Sequence, residues 1–163
     1  MRDAFERDLV AALPKLRRFA LSLCRRGDIA DDLVQITVEK AIVARDRFDP
    51  ETRLDPWLFR ILRNAWIDQT RRFATRGTEV DIFDVPEAAM VDGPRVTEST
   101  LMLQKTEAAL ATLAPEHQEI IALVCFEEMS YAETAEILGI PKGTVMSRLA
   151  RGRVALAEKL GIT

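Results

Sequence analysis

Two sets of side chains in this 163-residue chain are spaced to hold an anion rather than to break a bond. Thr144, Ser147, Arg148 and Arg151 recur at three- and four-residue intervals, so on a helix they collect on one face. Two hydroxyls and two guanidiniums grouped in this way suit phosphates and base edges in a major groove. Arg153 points elsewhere and is placed for a phosphate alone. The second set lies in PWLFRILRNAWIDQTRRF, residues 56–73, where Arg60, Arg63, Asn64 and Arg71 share a helical face. Phe59, Trp66 and Phe73, seven residues apart, run beside that basic stripe. Interleaved basic and aromatic groups can grip a backbone and stack on exposed bases. An aromatic ridge is also ordinary core, and that is the first reading for Phe59 and Trp66. Trp57 stands at the helix start beside the stripe, and the polar loop 48–55 before it could rim a pocket.

Catalytic chemistry has no comparable footing. His117 is the one histidine, and no nucleophile–base pair, paired-carboxylate motif or phosphate-binding glycine loop surrounds it. Cys24 and Cys125 are far apart without metal-ligand spacing, so both are expected to be buried structural thiols. No catalytic residue, metal, cofactor or small-molecule substrate is therefore expected.

A net charge of −3 argues at first against a nucleic-acid binder. The average conceals an asymmetry: residues 1–76 carry 16 basic and 12 acidic side chains, net +4, and residues 77–163 carry 7 and 14, net −7. Between Arg60 and Arg76 five arginines face Asp68 alone; between Gly139 and Leu160 five basic residues face Glu158 alone. No run reaches the roughly 18 to 20 apolar residues of a membrane span, and the N-terminus has no signal-peptide pattern, so a cytoplasmic protein without membrane insertion is expected.

The elements that must position these groups are helices. Apolar periodicity predicts them at 3–25, 29–46, 56–74, 100–113, 116–127, 131–138 and 142–160, with no strand: an all-α fold. Asp28, followed three residues later by Asp31, is placed to cap the second, Pro56 suits the first turn of the third, and Gly161 ends the last. Gly139 supplies the left-handed residue between the helices at 131–138 and 142–160, and Pro141 fixes the restart, which is helix-turn-helix chemistry. Val145, Leu149, Gly152, Leu156 and Leu160 form the buried stripe of the second of these; Leu58, Ile61, Leu62 and Ala65 form that of helix 56–74. The helix over 116–127, with Ile120, Ile121, Leu123 and Val124, reads as support packing.

On helix 29–46, Ala30, Leu33, Val34, Thr37, Ala41 and Ala44 face inward, while Asp31, Asp32, Gln35 and Glu39 lie opposite with Ile36, Ile42 and Val43 among or beside them. Acidic groups around exposed aliphatics suit a basic protein partner; a solvated face is the plainer reading. From about Arg76 to Glu98 the period fails, two prolines and two glycines intervene, and Glu79, Asp81, Asp84, Glu87, Asp92 and Glu98 accumulate. That is an acidic linker, either simply solvated or a negatively charged stand-in along a nucleic-acid path. The expected organisation is two small domains, 1–75 and 100–163, around a linker at 76–99.

ADDLVQITVEKA at 30–41, PWLFRILRNAWIDQTRR at 56–72 and MSYAETAEILGIPKGTVMSRLARGR at 129–153, in this order, resemble the extracytoplasmic-function group of bacterial sigma factors. The resemblance covers nearly everything outside the linker and departs at Ile36, where an acidic residue is common, and at Met146, where lysine is common. It implies a non-enzymatic protein of sigma regions two and four that binds core RNA polymerase and promoter DNA, with an anti-sigma factor as a further partner, and joins the nucleoid in holoenzyme. By resemblance, Asp31, Asp32, Leu33, Val34, Gln35 and Glu39 dock on the polymerase. Phe48, Trp57, Arg60, Arg63, Asn64, Arg71 and Arg72 open the minus-ten element, and Lys142, Gly143, Thr144, Ser147, Arg148, Arg151 and Arg153 read the minus-thirty-five element. Two other readings fit parts of the chain: a sigma mimic that titrates an anti-sigma protein, and a dimeric helix-turn-helix regulator using only the C-terminal half.

Overall fold

Leu9, Ala12, Leu16, Phe19 and Ala20 recur at three- and four-residue spacing and are all buried, which defines the inner side of the first helix, α1, Arg2–Cys24. The structure, a computed structural model, describes residues 2–76 and 98–162. The expected linker over 76–99 falls almost wholly outside these residues. Pro14, which has no N–H to donate, lies on the exposed side of α1. Arg25 ends the helix in the left-handed conformation (φ 59°), its N–H donating to the Leu21 carbonyl at 2.9 Å.

The second helix, α2, runs Gly27–Val43 and so begins ahead of its expected start. Asp28 therefore sits inside the first turn and does not cap it; Arg26 holds the cap position without a side-chain cap bond. The Asp28 carboxylate instead accepts from the Arg26 guanidinium at 3.2 and 2.9 Å, near the positive end of the helix dipole. Gly27, Ala30, Leu33, Thr37 and Ala41 form the buried face of α2, with the Thr37 hydroxyl satisfied by the Leu33 carbonyl at 2.7 Å. A single 3-10 turn, Arg45–Arg47, replaces the expected last turn. The third helix, α3, covers Leu54–Arg76 and buries Leu58, Phe59, Leu62 and Ala65. Phe59 meets Phe19 edge-on at 5.1 Å, so it is core, as its apolar neighbours favoured.

The C-terminal half starts with α4, Glu98–Ala111, and α5, Pro115–Ile121. Gln118 ties them together, its amide donating to the Leu113 carbonyl at 2.7 Å. After Ile121 the backbone widens into a π turn, Ala122–Phe126, closed by Glu127 N–H to the Ala122 carbonyl at 2.9 Å. The extra residue shifts the register, so Leu123 stays buried while Cys125 and Phe126 turn outward. Cys24 is buried as expected; Cys125 is exposed, against expectation, because of that widened turn. The chain then forms α6, Tyr131–Leu138, and α7, Lys142–Leu160.

No strand interrupts the seven helices among the described residues. Helices α1, α2 and α3 pack on one another, and α4, α5 and α6 pack around α7. The two modules also touch, α3 against α6 and α1 against α5, so one apolar cluster runs from Leu9 through to Leu149. No helix among the described residues is long and apolar enough to cross a membrane.

Candidate nucleic-acid interface

Helix α6 is set by its ends. Ser130 caps it: the hydroxyl accepts from the Glu133 N–H at 3.0 Å, while the Glu133 carboxylate accepts from the Ser130 N–H at 2.9 Å. The S-x-x-E spacing of Ser130–Glu133 is the sequence signature of this reciprocal cap. Gly139 closes α6 at φ 67°, and Pro141 caps α7 in an extended conformation. A Cβ on Gly139 would meet nothing within 4 Å, so it is the backbone angle and not crowding that calls for glycine.

On α7, Val145, Leu149 and Gly152 are buried, and Leu156 and Leu160 are half-buried at the end of the stripe. Gly152 is a close approach: a Cβ there would lie 3.3 Å from Ile121 Cδ1 and 3.5 Å from His117 Cβ, both on α5. This contact fixes the roll of α7, and thereby which side faces outward. Lys142, Gly143, Ser147, Arg151 and Arg153 are exposed, with Thr144 and Arg148 half-buried between them. The Arg151 guanidinium donates to the Ser147 hydroxyl at 3.3 Å, so these side chains stand together. Lys142, Arg148, Arg151 and Arg153 form no ion pair with another described residue.

On α3, Arg60, Asn64, Arg71 and Arg72 are exposed along the outer side, and the three arginines pair with no carboxylate among the described residues. Arg63 differs: it is half-buried and its guanidinium is bound by Glu119 of α5. Trp66 is half-buried against a cleft of about 150 Å³ between the modules, lined also by Ser22, Arg25, Pro115 and Gln118. Trp57 is half-buried at the margin of the core, away from the arginine stripe. It packs on Phe48 at 5.1 Å and on Phe5 at 6.2 Å, and Phe5 closes the group on Phe48 at 6.0 Å. This aromatic trio pins the start of α3 to the loop preceding it.

The α2 face is divided. Asp31, Asp32, Gln35 and Glu39 are exposed, and Ile42 and Val43 are exposed apolar groups beside them. Val34 is half-buried. Leu33, grouped by resemblance with the polymerase-docking residues, is wholly buried in the bundle core, in line with its inward place on the wheel beside Ala30, Thr37 and Ala41. Asp31 is held by Arg17 of α1 at 3.0 Å, and Gln35 donates to Glu39 at 3.3 Å.

Sequence reasoning did not find the pairs that join the modules. Arg18 donates to Glu127 through two bonds of 3.0 Å, and Arg53 to Glu133 at 3.1 Å, in addition to Arg63 and Glu119. The Glu127 hydrogen bond holds the Arg18 guanidinium above its ordinary pKa. Burial lowers that of Arg25 at the cleft and raises that of the Cys24 thiol. Among the described residues, no group of three or more His, Cys, Asp or Glu side chains is placed to hold a metal.

Comparison with known proteins agrees with this architecture. Residues 9–76 match Sigma-70 region 2 and residues 103–156 match Sigma-70 region 4. The chain is 37% identical over 158 residues to the ECF RNA polymerase sigma factor EcfG of Rhodopseudomonas palustris, spanning 97% of this chain and 86% of that one. Among solved structures it superposes with a TM-score of 0.83 on the sigma factor RpoE of Bartonella quintana in complex with the anti-sigma factor NepR, at 35% identity and 99% coverage of both chains. CnrH in complex with the cytosolic domain of CnrY gives 0.68 at 26% identity, over 99% of this chain and 90% of that one. Two helical modules in the sigma order, matched along nearly their whole length, place this chain in the extracytoplasmic-function family of RNA polymerase sigma factors, which direct promoter-specific transcription initiation.

Proposed function

We propose that this chain binds core RNA polymerase and starts transcription by melting a minus-ten element with α3 and reading a minus-thirty-five element with α7, without catalytic chemistry of its own. The observation that carries the reading is a pair of arginine-bearing helices on separate modules. Arg60, Arg71 and Arg72 on one, and Arg148, Arg151 and Arg153 on the other, have no described carboxylate partner to neutralise them. Guanidiniums without a carboxylate partner are what a phosphate backbone requires, and their placement on two modules suits two separated DNA segments.

Melting needs no catalytic group. Binding energy directed at unpaired, flipped bases over stacked duplex is enough to shift that equilibrium. Trp57, held by Phe48 and Phe5 at the N-terminal end of α3, is the aromatic surface placed for such a base. The exposed side of α2, Asp31, Asp32, Gln35 and Glu39 around Ile42 and Val43, is the surface assigned to the polymerase, with Leu33 anchoring it from inside. Relatives solved with NepR and CnrY support an anti-sigma factor as a partner. The domains are assigned as 1–75 and 100–163, and the protein to the cytoplasm and, in holoenzyme, the nucleoid.

Run-off transcription with purified core polymerase and pooled genomic fragments tests the reading: the chain should support initiation at a defined set of promoters. Binding of an anti-sigma factor without initiation at any fragment would instead identify a mimic.

A further inference from the structure

We infer that helix α1, which carries none of the residues assigned to DNA, positions the loop before α3 and the start of α3 itself through two side chains, Phe5 and Lys15. The inference rests on the reading of Phe48 and Trp57 as minus-ten residues given above, and it adds what holds those two rings in place.

The tip of the loop is shaped by its own residues. The Asp49 carboxylate accepts from the Glu51 N–H at 3.0 Å, and the Asp49 carbonyl accepts from the Thr52 hydroxyl at 2.7 Å and from the Thr52 N–H at 3.0 Å. A turn closed on itself in this way has a fixed form, but nothing in it sets where that form stands relative to α3. Contacts from outside the loop must do so. Three of them come from α1: Glu6 lies 3.9 Å from Arg45 at the head of the loop, the Phe5 ring lies 6.0 Å from Phe48, and the Lys15 ammonium lies 2.9 Å from the Asp55 carboxylate where the loop becomes helix. Phe5 and Lys15 are ten residues apart. On a helix that is about 15 Å, so α1 acts as a rigid spacer between the middle of the loop and its end.

Phe5 continues the inner stripe of α1, Leu9, Ala12 and Leu16, by one further turn. The rings it meets there are Phe48 and Trp57, the second at 6.2 Å and 69° between planes, while Phe48 and Trp57 lie 5.1 Å apart. Each ring of this triangle is confined by the other two. Asp55 is held as firmly from the other side. Its carboxylate, in the first turn of α3, has Lys15 at 2.9 Å and Arg53 at 3.9 Å, and it stands two residues before Trp57.

Melting makes this placement matter. A loop and two large rings that became ordered only on meeting DNA would oppose binding through lost conformational freedom, whereas a surface already in place directs its binding energy at the unpaired base. Phe5 and Lys15 supply that order by way of Phe48, Trp57 and Asp55, which makes them positioning residues. Their loss should therefore weaken strand opening by α3 and spare recognition by α7. A general loss of stability would lower both together.

The test uses holoenzyme reconstituted from the full chain and core polymerase, on a promoter fragment recovered by run-off transcription. Permanganate reactivity of the minus-ten thymines reads strand opening, and a footprint over the minus-thirty-five element, taken at a temperature below that of opening, reads α7. Phe5→Leu keeps the apolar bulk and removes the ring; it should lower opening about two- to tenfold, the scale of one aromatic pair, and Phe5→Tyr should restore it. Lys15→Met should lower opening about two- to fivefold, and Lys15→Arg should restore it. In all four variants the minus-thirty-five footprint should titrate within about twofold of wild type, as expected for a distant, independent site. Opening at the wild-type level in both Phe5→Leu and Lys15→Met would overturn the inference, as would a parallel fall of opening and footprint. If Phe5→Leu fails to fold, Lys15→Met, at an exposed position, decides alone. Opening unchanged in Trp57→Ala would overturn the minus-ten reading of α3 itself. Opening lost in Trp57→Ala and kept in both α1 variants would leave that reading standing and remove only the role of α1.

Discussion

Ser130 and Glu133 cap each other: the hydroxyl of one and the carboxylate of the other each accept a backbone N–H of the partner, at 3.0 and 2.9 Å. Helix α6 has eight residues and is too short to persist without such ends. Removing the hydroxyl in Ser130→Ala should cost about 1 kcal/mol of stability, read from urea unfolding. A Ser130→Thr chain, which keeps an oxygen at that place, should lose less than half as much. Equal losses in both would show that the cap contributes nothing.

Gly152 faces α5 at a separation that leaves no room for a branched side chain, with Ile121 Cδ1 3.3 Å from its notional Cβ. Gly152→Val should destabilise the chain by about 1 to 3 kcal/mol through overpacking. Because the same contact sets the roll of α7, DNA binding through α7 should fall even at temperatures where the variant is folded. Thermal unfolding and a gel-shift series on one cognate fragment measure the two effects separately.

Much of this fold was legible because it is local. Helix placement followed from apolar spacing, and the turn between α6 and α7 from Gly139 and Pro141, whose conformations are dictated by their own chemistry. A wheel also sufficed to group Arg60, Asn64 and Arg71 on one side of α3, but not to see that Arg63 turns to Glu119 of α5. Asp28 shows where locality misleads: it is a good capping residue, but the helix starts earlier, at Gly27, and Arg26 takes its carboxylate. Leu33 is buried, as its place on the wheel beside Ala30, Thr37 and Ala41 requires. The pairs Arg18–Glu127 and Arg53–Glu133 were not legible at all. Their partners are 109 and 80 residues apart, and no local pattern selects one glutamate among many.

The cysteines give a prediction with a pH sign. Burial is the main cause that raises the Cys24 thiol, partly offset by a backbone hydrogen bond from Arg26. A folded-state value above the unfolded one means that Cys24 contributes full stability below the ordinary thiol range, and that the contribution declines as pH rises above about 8.5. Cys24→Ala should abolish that alkaline decline while lowering stability at neutral pH. In the native chain iodoacetamide should label Cys125, which is exposed, and spare Cys24. Labelling of Cys24 at a rate matching Cys125 would contradict its burial.

Arg148 and Arg153 lie on α7 in different directions, one half-buried between Thr144 and Leu149, the other exposed. If Arg148 addresses a base edge, Arg148→Ala should weaken minus-thirty-five recognition by about 1 to 3 kcal/mol and relax the sequence preference at one position. If Arg153 instead meets a phosphate, Arg153→Ala should weaken all fragments alike and reduce the slope of log affinity against log salt by about 1. The two patterns are separable by titrating wild type and both variants against a cognate fragment and its point mutants at several salt concentrations. A uniform loss for Arg148→Ala would move it from base recognition to backbone positioning, and the specificity of α7 would then rest on Thr144, Ser147 and Arg151, of which the last two are held together by their hydrogen bond.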